Sequence, residues 1–236
     1  MDEIISGIIE AFHLIVTLDP EVMEIAQRSL TVSMEATIIA ALIAIPLGAI
    51  IYYFSFRGKR IVIGTIQTLY ALPTVLVGLL VYLLVSNAGP LGMFRMLYTT
   101  NAMVFAQVLL IIPIIAGLTI AGLSSLDKEL KYTIQSLNAS AFQAVATLCR
   151  EAKFAIMSGV LLAFGRAIAE VGAVMMVGGN IRHFTRTLTT AISLNTSMGE
   201  FATSIALGII LLSIALIVNF GMNLIQTRHM GGEKDV

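Results

Sequence analysis

The sequence predicts an all-α integral membrane protein with five membrane-crossing segments and one polar cytoplasmic insert. Three observations predict it. Of 236 residues, 58% are hydrophobic and only 12% charged, and mean hydropathy is +0.94. Soluble domains are about 45–50% apolar and about 25% charged, so this chain has too little polar material to cover a water-facing surface. Second, five apolar segments reach the length of about 20 residues that a hydrocarbon core of about 30 Å requires. Third, the longest polar interval between them, at its most charged over residues 127–153, runs directly into an apolar segment that carries Arg166 and Glu170.

The remaining composition excludes several classes. The formal net charge is zero and gives no footprint for nucleic acid. A single cysteine, Cys149, precludes an internal disulfide, and three histidines with one cysteine make a Cys/His metal site a poor fit. Trp is absent, so Tyr52, Tyr53, Tyr82 and Tyr98 are expected to mark the membrane interfaces. No G-x-x-x-x-G-K-[ST] loop occurs, so the chain is not expected to hydrolyse ATP. Neither a metal-protease pattern nor a nucleophile elbow is present.

Residues 1–29 carry Asp2, Glu3, Glu10, Asp19, Glu21 and Glu24 against one base, Arg28. A secretory leader starts with positive charge and ends at a small-residue cleavage site, so this stretch is not read as one. Residues 4–17, interrupted by Glu10 and His13, are too short to span and are read as an interfacial helix, the alternative being a poor first span. The five spans follow at 30–56, 61–86, 102–123, 154–177 and 201–225, within a membrane domain of residues 30–226 and ahead of a cytoplasmic tail of residues 227–236. Pro46, Pro73 and Pro113 lie inside them, which membrane helices tolerate where neighbours satisfy the freed carbonyls. Nine Lys/Arg (Arg57, Lys59, Arg60, Lys128, Lys131, Arg150, Lys153, Arg228, Lys234) fall on one side of the spans. Four (Arg28, Arg95, Arg182, Arg186) fall on the other. The positive-inside rule places the first set in the cytoplasm, with the amino terminus outside and the carboxyl terminus inside.

Within the insert, apolar residues at 130, 134, 137, 141, 142, 145 and 148 follow helical spacing. Asn138, with Ala139 and Ser140, offers a bend, since Asn visits left-handed backbone more readily than most residues. Pattern alone leaves open whether this amphipathic pair rests on lipid headgroups or meets a soluble partner. Arg166 lies about 12 residues, or about 18 Å at 1.5 Å per residue, into the fourth span. Charges at that depth face protein or water and are functional candidates. At i, i+4 spacing Arg166 and Glu170 can pair. They either neutralise one another and lock the helix, or leave Arg166 to attract an anion. Gly159, Gly165, Gly172, Gly178 and Gly179 punctuate the same stretch and permit close helix packing. The outer segment 181–197 holds Arg182, His183 and Arg186 among several threonines, and reads either as a solvated loop or as a guide for an anion or a docking protein.

Two stretches carry a family resemblance. Leu162-Ala163-Phe164-Gly165-Arg166-Ala167-Ile168-Ala169-Glu170-Val171-Gly172-Ala173 closely resembles the Ala-Phe-Ala-Arg-Ala-x-Gly-Glu-x-Gly-Ala signature of molybdate, tungstate and sulfate permeases, the membrane subunits of bacterial ABC importers. Gly179-Asn180-Ile181, Thr185-Arg186-Thr187, Leu72-Pro73-Thr74-Val75 and Gly89-Pro90-Leu91-Gly92 match further positions of that family, and the wording around Glu170 is most like its tungstate branch. The insert is similar to the region holding the EAA motif of such permeases. Tyr132-Thr133-Ile134 stand at the Glu-Ala-Ala positions and Asn138 at the glycine. Spacing and Leu137 are kept, but the namesake residues and the following Leu-Pro are not.

The resemblance implies a type I permease fold and a homodimer embedded in lipid. Its implied partners are a dimer of cytoplasmic ABC ATPase subunits and an extracytoplasmic oxyanion-binding protein, with no cofactor or metal. It also implies that Tyr132, Thr133, Ile134, Gln135, Ser136, Leu137, Asn138, Ala139 and Ser140 couple to the ATPase. Arg166 and Glu170, flanked by Gly165 and Gly172, would then lie at the pathway, with Arg182 and Arg186 at its outer face. Rival readings are a secondary ion-coupled transporter, an ABC permease for another small solute, or a scaffold without transport activity.

Overall fold

The computed structural model describes residues 2–137 and 139–231. Among them all regular structure is helical: α1 (Asp2–Val16), α2 (Pro20–Tyr53), α3 (Lys59–Thr68), α4 (Thr74–Val85), α5 (Thr100–Ser124), α6 (Lys128–Ser136), α7 (Ala141–Glu151), α8 (Lys153–Ile168), α9 (Gly172–Gly178), α10 (Leu188–Met198) and α11 (Phe201–Gly231), with short 3₁₀ turns at Leu69–Ala71 and Gly92–Phe94. Three helices, α2, α5 and α11, are individually long and apolar enough to cross a membrane. Two bent pairs, Lys59–Ala71 with Thr74–Val85 and Lys153–Ile168 with Gly172–Gly178, reach that length together and raise the number to five.

The bends depart from the straight spans that hydropathy suggests. The first turns by 97° at Leu72-Pro73, where Pro73 lacks an amide donor and its ring disfavours helical backbone at Leu72. The second turns by 57° between Ile168 and Gly172, around Glu170. Another departure lies at the start. No boundary falls at residue 29: the 34-residue α2 begins at Pro20, a favoured first helical position, and Asp19 Oδ1 accepts from the amide of Val22 at 3.0 Å to cap it. More than half of the segment 181–197 is also helical, because Thr187 and Thr190 form a capping box that starts α10 at Leu188.

The chain divides into two compact units, with the division falling inside α2, α5 and α8. One comprises residues 1–36, 73–107 and 165–236, the other residues 37–72 and 108–164. In the first unit, Val22, Ile25 and Ala26 of α2, Leu188 and Ala191 of α10, and Leu207 and Ile210 of α11 form a buried cluster. Here α1 lies against α11 at Gly7, where an added Cβ would sit 2.7 Å from Ile205. The opposite face of α1 exposes Ile5, Ile8, Ile9 and Phe12. In the second unit, Ala49 of α2, Leu123 of α5, Ile134 of α6, Ala144 and Leu148 of α7, Ala152, and Ile156 of α8 form another buried cluster. The insert is thereby seated on the ends of α2, α5 and α8. Gly48 approaches the Ala116 carbonyl, and Gly122 and Gly159 approach Ala155 and Leu118. Small residues let these helices pack backbone to backbone.

Candidate functional site

The polar insert folds as two helices, as the turn-tolerant residues at its centre suggest; Asn138 itself lies outside the described residues, as does the tail beyond residue 231. Ser140 and Gln143 form a reciprocal capping box that restarts the helix as α7. This restart resets the helical period, so the single stripe expected over 130–148 does not hold. Ile134, Ala144 and Leu148 are buried, whereas Tyr132, Leu137 and Phe142 are 67%, 74% and 83% exposed. Thr133 and Ser136 donate their hydroxyls back to the carbonyls of Glu129 and Thr133. The Ala139 amide reaches the Ile134 carbonyl at 3.5 Å. Gln135 falls in α6. The insert therefore offers three large apolar side chains to whatever meets it, and such patches mark contact surfaces. Phe142 belongs to this set although the sequence motif stops at Ser140. The sequence pattern counts Phe142 as one position of the apolar stripe, and the restart after Ser140 leaves it exposed instead.

At the α8–α9 break the two charged residues have different surroundings. The Glu170 side chain is 3% exposed and that of Arg166 44%. Glu170 Oε1 accepts from the Ala173 amide at 3.0 Å, so the carboxylate closes the first turn of α9. Arg166 Nη1 stands 3.6 Å from Glu170 Oε2, an ion pair beyond hydrogen-bond distance. Arg166 is therefore only partly neutralised and keeps exposed donors, beside a Gly165 whose Cα faces open space. The spacing alone left open whether the two neutralise one another or leave Arg166 to attract an anion. The broken helix turns the glutamate inward to an amide and leaves the arginine outward.

The two breaks also meet. A Cβ on Gly172 would lie 3.0 Å from Val75 Cγ2, 3.1 Å from Thr74 Oγ1 and 3.6 Å from Glu170 Oε1. One on Gly78 would lie 2.8 Å from the Ala173 Cα. The half-helices α4 and α9 thus start beside one another and pack through glycine. Gln107, from α5, donates to the Ala167 carbonyl at 2.9 Å, and Thr189, from α10, donates to the Glu170 carbonyl at 2.9 Å.

In the turn at residues 179–186 the basic side chains are paired. Gly179, Asn180 and His183 have positive φ, and Thr185 Oγ1 ties the turn by donating to the Gly178 carbonyl at 2.6 Å and accepting from the Ile181 amide at 2.9 Å. Arg182 grips Glu21 through two bonds, Nε–Oε1 at 2.9 Å and Nη2–Oε2 at 2.6 Å. Arg186 Nη1 is 3.8 Å from the same carboxylate. His183 Nδ1 lies 3.0 Å from Glu24 Oε2, and Arg28 bonds both Glu24 and the Arg186 carbonyl. The hydrogen bonds that Arg182 donates to Glu21 raise its guanidinium above its ordinary pKa. The acidic start of α2 is the partner that sequence reading missed, because the pairs join residues about 160 positions apart. Among the described residues no group of three or more His, Cys, Asp or Glu is placed to hold a metal ion.

The architecture is that of an ABC importer permease. It aligns with the inward-facing MetNI methionine ABC transporter at a TM-score of 0.72 and 14% identity, covering 90% of this chain and 97% of the other. Residues 44–230 match the family described as binding-protein-dependent transport system inner membrane component, and the chain belongs to that family. It is thus a multi-pass inner-membrane protein and the non-hydrolytic component of a transport system that uses a separate binding protein. Among its relatives is the tungstate uptake system permease protein TupB of Peptoclostridium acidaminophilum, 41% identical over 219 residues, 93% of this chain and 96% of the relative. The protein of the same name in Campylobacter jejuni is 41% identical over 220 residues, 93% of this chain and 92% of the relative.

Proposed function

We propose that this chain is the permease subunit of an ATP-driven importer that passes tungstate, or the similar oxyanions molybdate and sulfate, into the cytoplasm. The observation that carries the reading is the 41% identity to tungstate uptake permeases across 93% of the chain. Five spans are assigned to α2, the α3–α4 pair, α5, the α8–α9 pair and α11, with the amino terminus outside and the carboxyl terminus in the cytoplasm. Residues 1–19 form an outer, lipid-contacting segment, and the membrane domain extends to residue 226. Two copies form the pathway and engage two copies of a cytoplasmic ATPase.

In this reading the insert transmits force. Tyr132, Leu137 and Phe142 insert into the ATPase surface, while Ile134 and Leu148 tie the insert to the span ends. ATP binding favours the closed ATPase pair, and only that differential affinity can shift the permease equilibrium. Arg166 supplies positive potential to a divalent anion. Glu170, 3.6 Å away, offsets only part of it, because its carboxylate is also turned to the Ala173 amide. Arg182, His183 and Arg186, braced by Glu21 and Glu24, present a charged outer face to the binding protein. The test is uptake by the complete complex in proteoliposomes with labelled tungstate, challenged by molybdate and sulfate. ATP-dependent uptake with tungstate preferred is the expected result. Uptake that ignores ATP and collapses with an ion gradient would refute the reading.

A further inference from the structure

Where α8 stops, its last carbonyls lose the amides that a continuing helix would supply. Two of the carbonyls at this break are held by side chains from other elements. Ala167 O accepts from the Glu170 amide at 3.1 Å and from Gln107 Nε2 at 2.9 Å. Glu170 O accepts from Thr189 Oγ1 at 2.9 Å. Both donors are buried, Gln107 at 3% and Thr189 at 6% exposure. Gln107 comes from the middle of α5, and its Oε1 has no partner, so its amide makes one bond only, the bond to the break. Thr189 comes from the first turn of α10. Its hydroxyl lies 3.1 Å from that of Thr187, the N-cap of the helix. The start of α10 is fixed in turn to α2 by the bond from the Leu188 amide to Ser29 Oγ at 2.8 Å. The break is therefore fastened from two directions, and Arg166 is carried on the turn that Gln107 fastens.

We propose that Gln107 and Thr189 are positioning residues of the transport pathway, holding the Ala167 and Glu170 carbonyls so that Arg166 stays at the open face of the break while Gly172 stays against the start of α4. This rests on the permease reading above. Neither residue contacts the cargo. Each acts through the backbone of the break, and losing either bond lets the break rotate and separates ATP turnover from anion passage.

The experiment uses the complete complex in proteoliposomes and measures tungstate moved per ATP hydrolysed under binding-protein stimulation. The forms compared are wild type, Thr189→Val, Thr189→Ser and Gln107→Leu. Losing one buried hydrogen bond, whether the acceptor keeps a second donor, as Ala167 O does, or not, shifts a conformational equilibrium by about two- to tenfold. Thr189→Val and Gln107→Leu should therefore lower the ratio about fivefold, with ATP hydrolysis largely retained, and Thr189→Ser should restore it. A merely structural role would lower uptake and ATP hydrolysis together and leave the ratio unchanged, which overturns the proposal. So does a Thr189→Ser as defective as Thr189→Val. If Thr189→Val does not assemble, Gln107→Leu decides by the same ratio. A wild-type complex that hydrolyses ATP but moves no tungstate, molybdate or sulfate removes the permease reading and this proposal together. A coupled wild type with an unchanged ratio in the variants removes this proposal alone.

Discussion

Gly78 is the position at which the two broken spans bear on one another most directly, and its substitution by alanine has a calculable effect. The new Cβ would sit 2.8 Å from the Ala173 Cα and 3.2 Å from Met176 Sδ. Carbon atoms pack at about 3.5–4.0 Å, so α4 and α9 must separate by about 0.7–1.2 Å. The atom encountered is backbone and cannot swing aside. Overpacking of this kind costs about 1–3 kcal/mol, offset by the gain of about 0.5–1 kcal/mol that alanine brings over glycine inside a helix. Gly208 of α11 supplies the control, because a Cβ there meets nothing within 4 Å. The helix-propensity gain is common to both variants, so the difference between them isolates the clash at about 1–3 kcal/mol. The assay is unfolding of the purified protein in detergent, by heat or by SDS titration, for wild type, Gly78→Ala and Gly208→Ala. Gly208→Ala should match or exceed wild type and Gly78→Ala should fall below it. Equal midpoints for the two variants would show that α4 and α9 do not touch in this way.

Three further outcomes are expected. Leu137→Asp and Phe142→Asp, at side chains 74% and 83% exposed, should change stability by no more than about 0.5 kcal/mol while abolishing uptake and stimulated ATP hydrolysis; unchanged uptake and stimulation would remove the insert from the coupling role. Arg182→Glu should weaken docking of the binding protein, measured by affinity at several salt concentrations, and a second substitution, Glu21→Arg, should restore it by rebuilding the pair with its charges exchanged. Failure of the double variant to recover would mean that the pair of Arg182 and Glu21 does not shape this face. Burial pushes the Cys149 thiol above its ordinary pKa. Since the thiolate is the reactive form, alkylation should be slow at pH 7–8 and accelerate only as pH rises past the ordinary thiol range. A rate at pH 8 equal to that of a free model thiol would contradict this placement.

Hydropathy was enough to locate the five apolar segments, because membrane length is a coarse requirement that composition alone must meet. The break at Pro73 was half visible: a proline announces lost helical geometry, but its 97° angle depends on what packs on each side. The break at Glu170 was less legible. An i, i+4 Arg–Glu pair reads as a continuous helix, and nothing local reveals that the carboxylate turns to the Ala173 amide. Gly172 pointed to close packing, although its neighbours Thr74 and Val75 lie about 100 residues away. The same limitation hid the roles of Glu21 and Glu24, which read only as part of an acidic amino-terminal stretch until the chain brings Arg182 and His183 to them. In the insert, a sound periodicity was carried across a turn at which it restarts. The exposed apolar face of the insert therefore includes Phe142, and the apolar residues of 130–148 do not share one stripe.

The inward-turned glutamate has a consequence for how the molecule can move. Straightening α8 into α9 would strip the Ala173 amide from a buried carboxylate and leave it only the Arg166 guanidinium, 3.6 Å away and beyond hydrogen-bond distance, and a buried carboxylate short of hydrogen bonds is costly. The turn between Ile168 and Gly172 is therefore held by that local bond. Whatever the transport cycle does to this region, the Glu170 carboxylate and the start of α9 must move together.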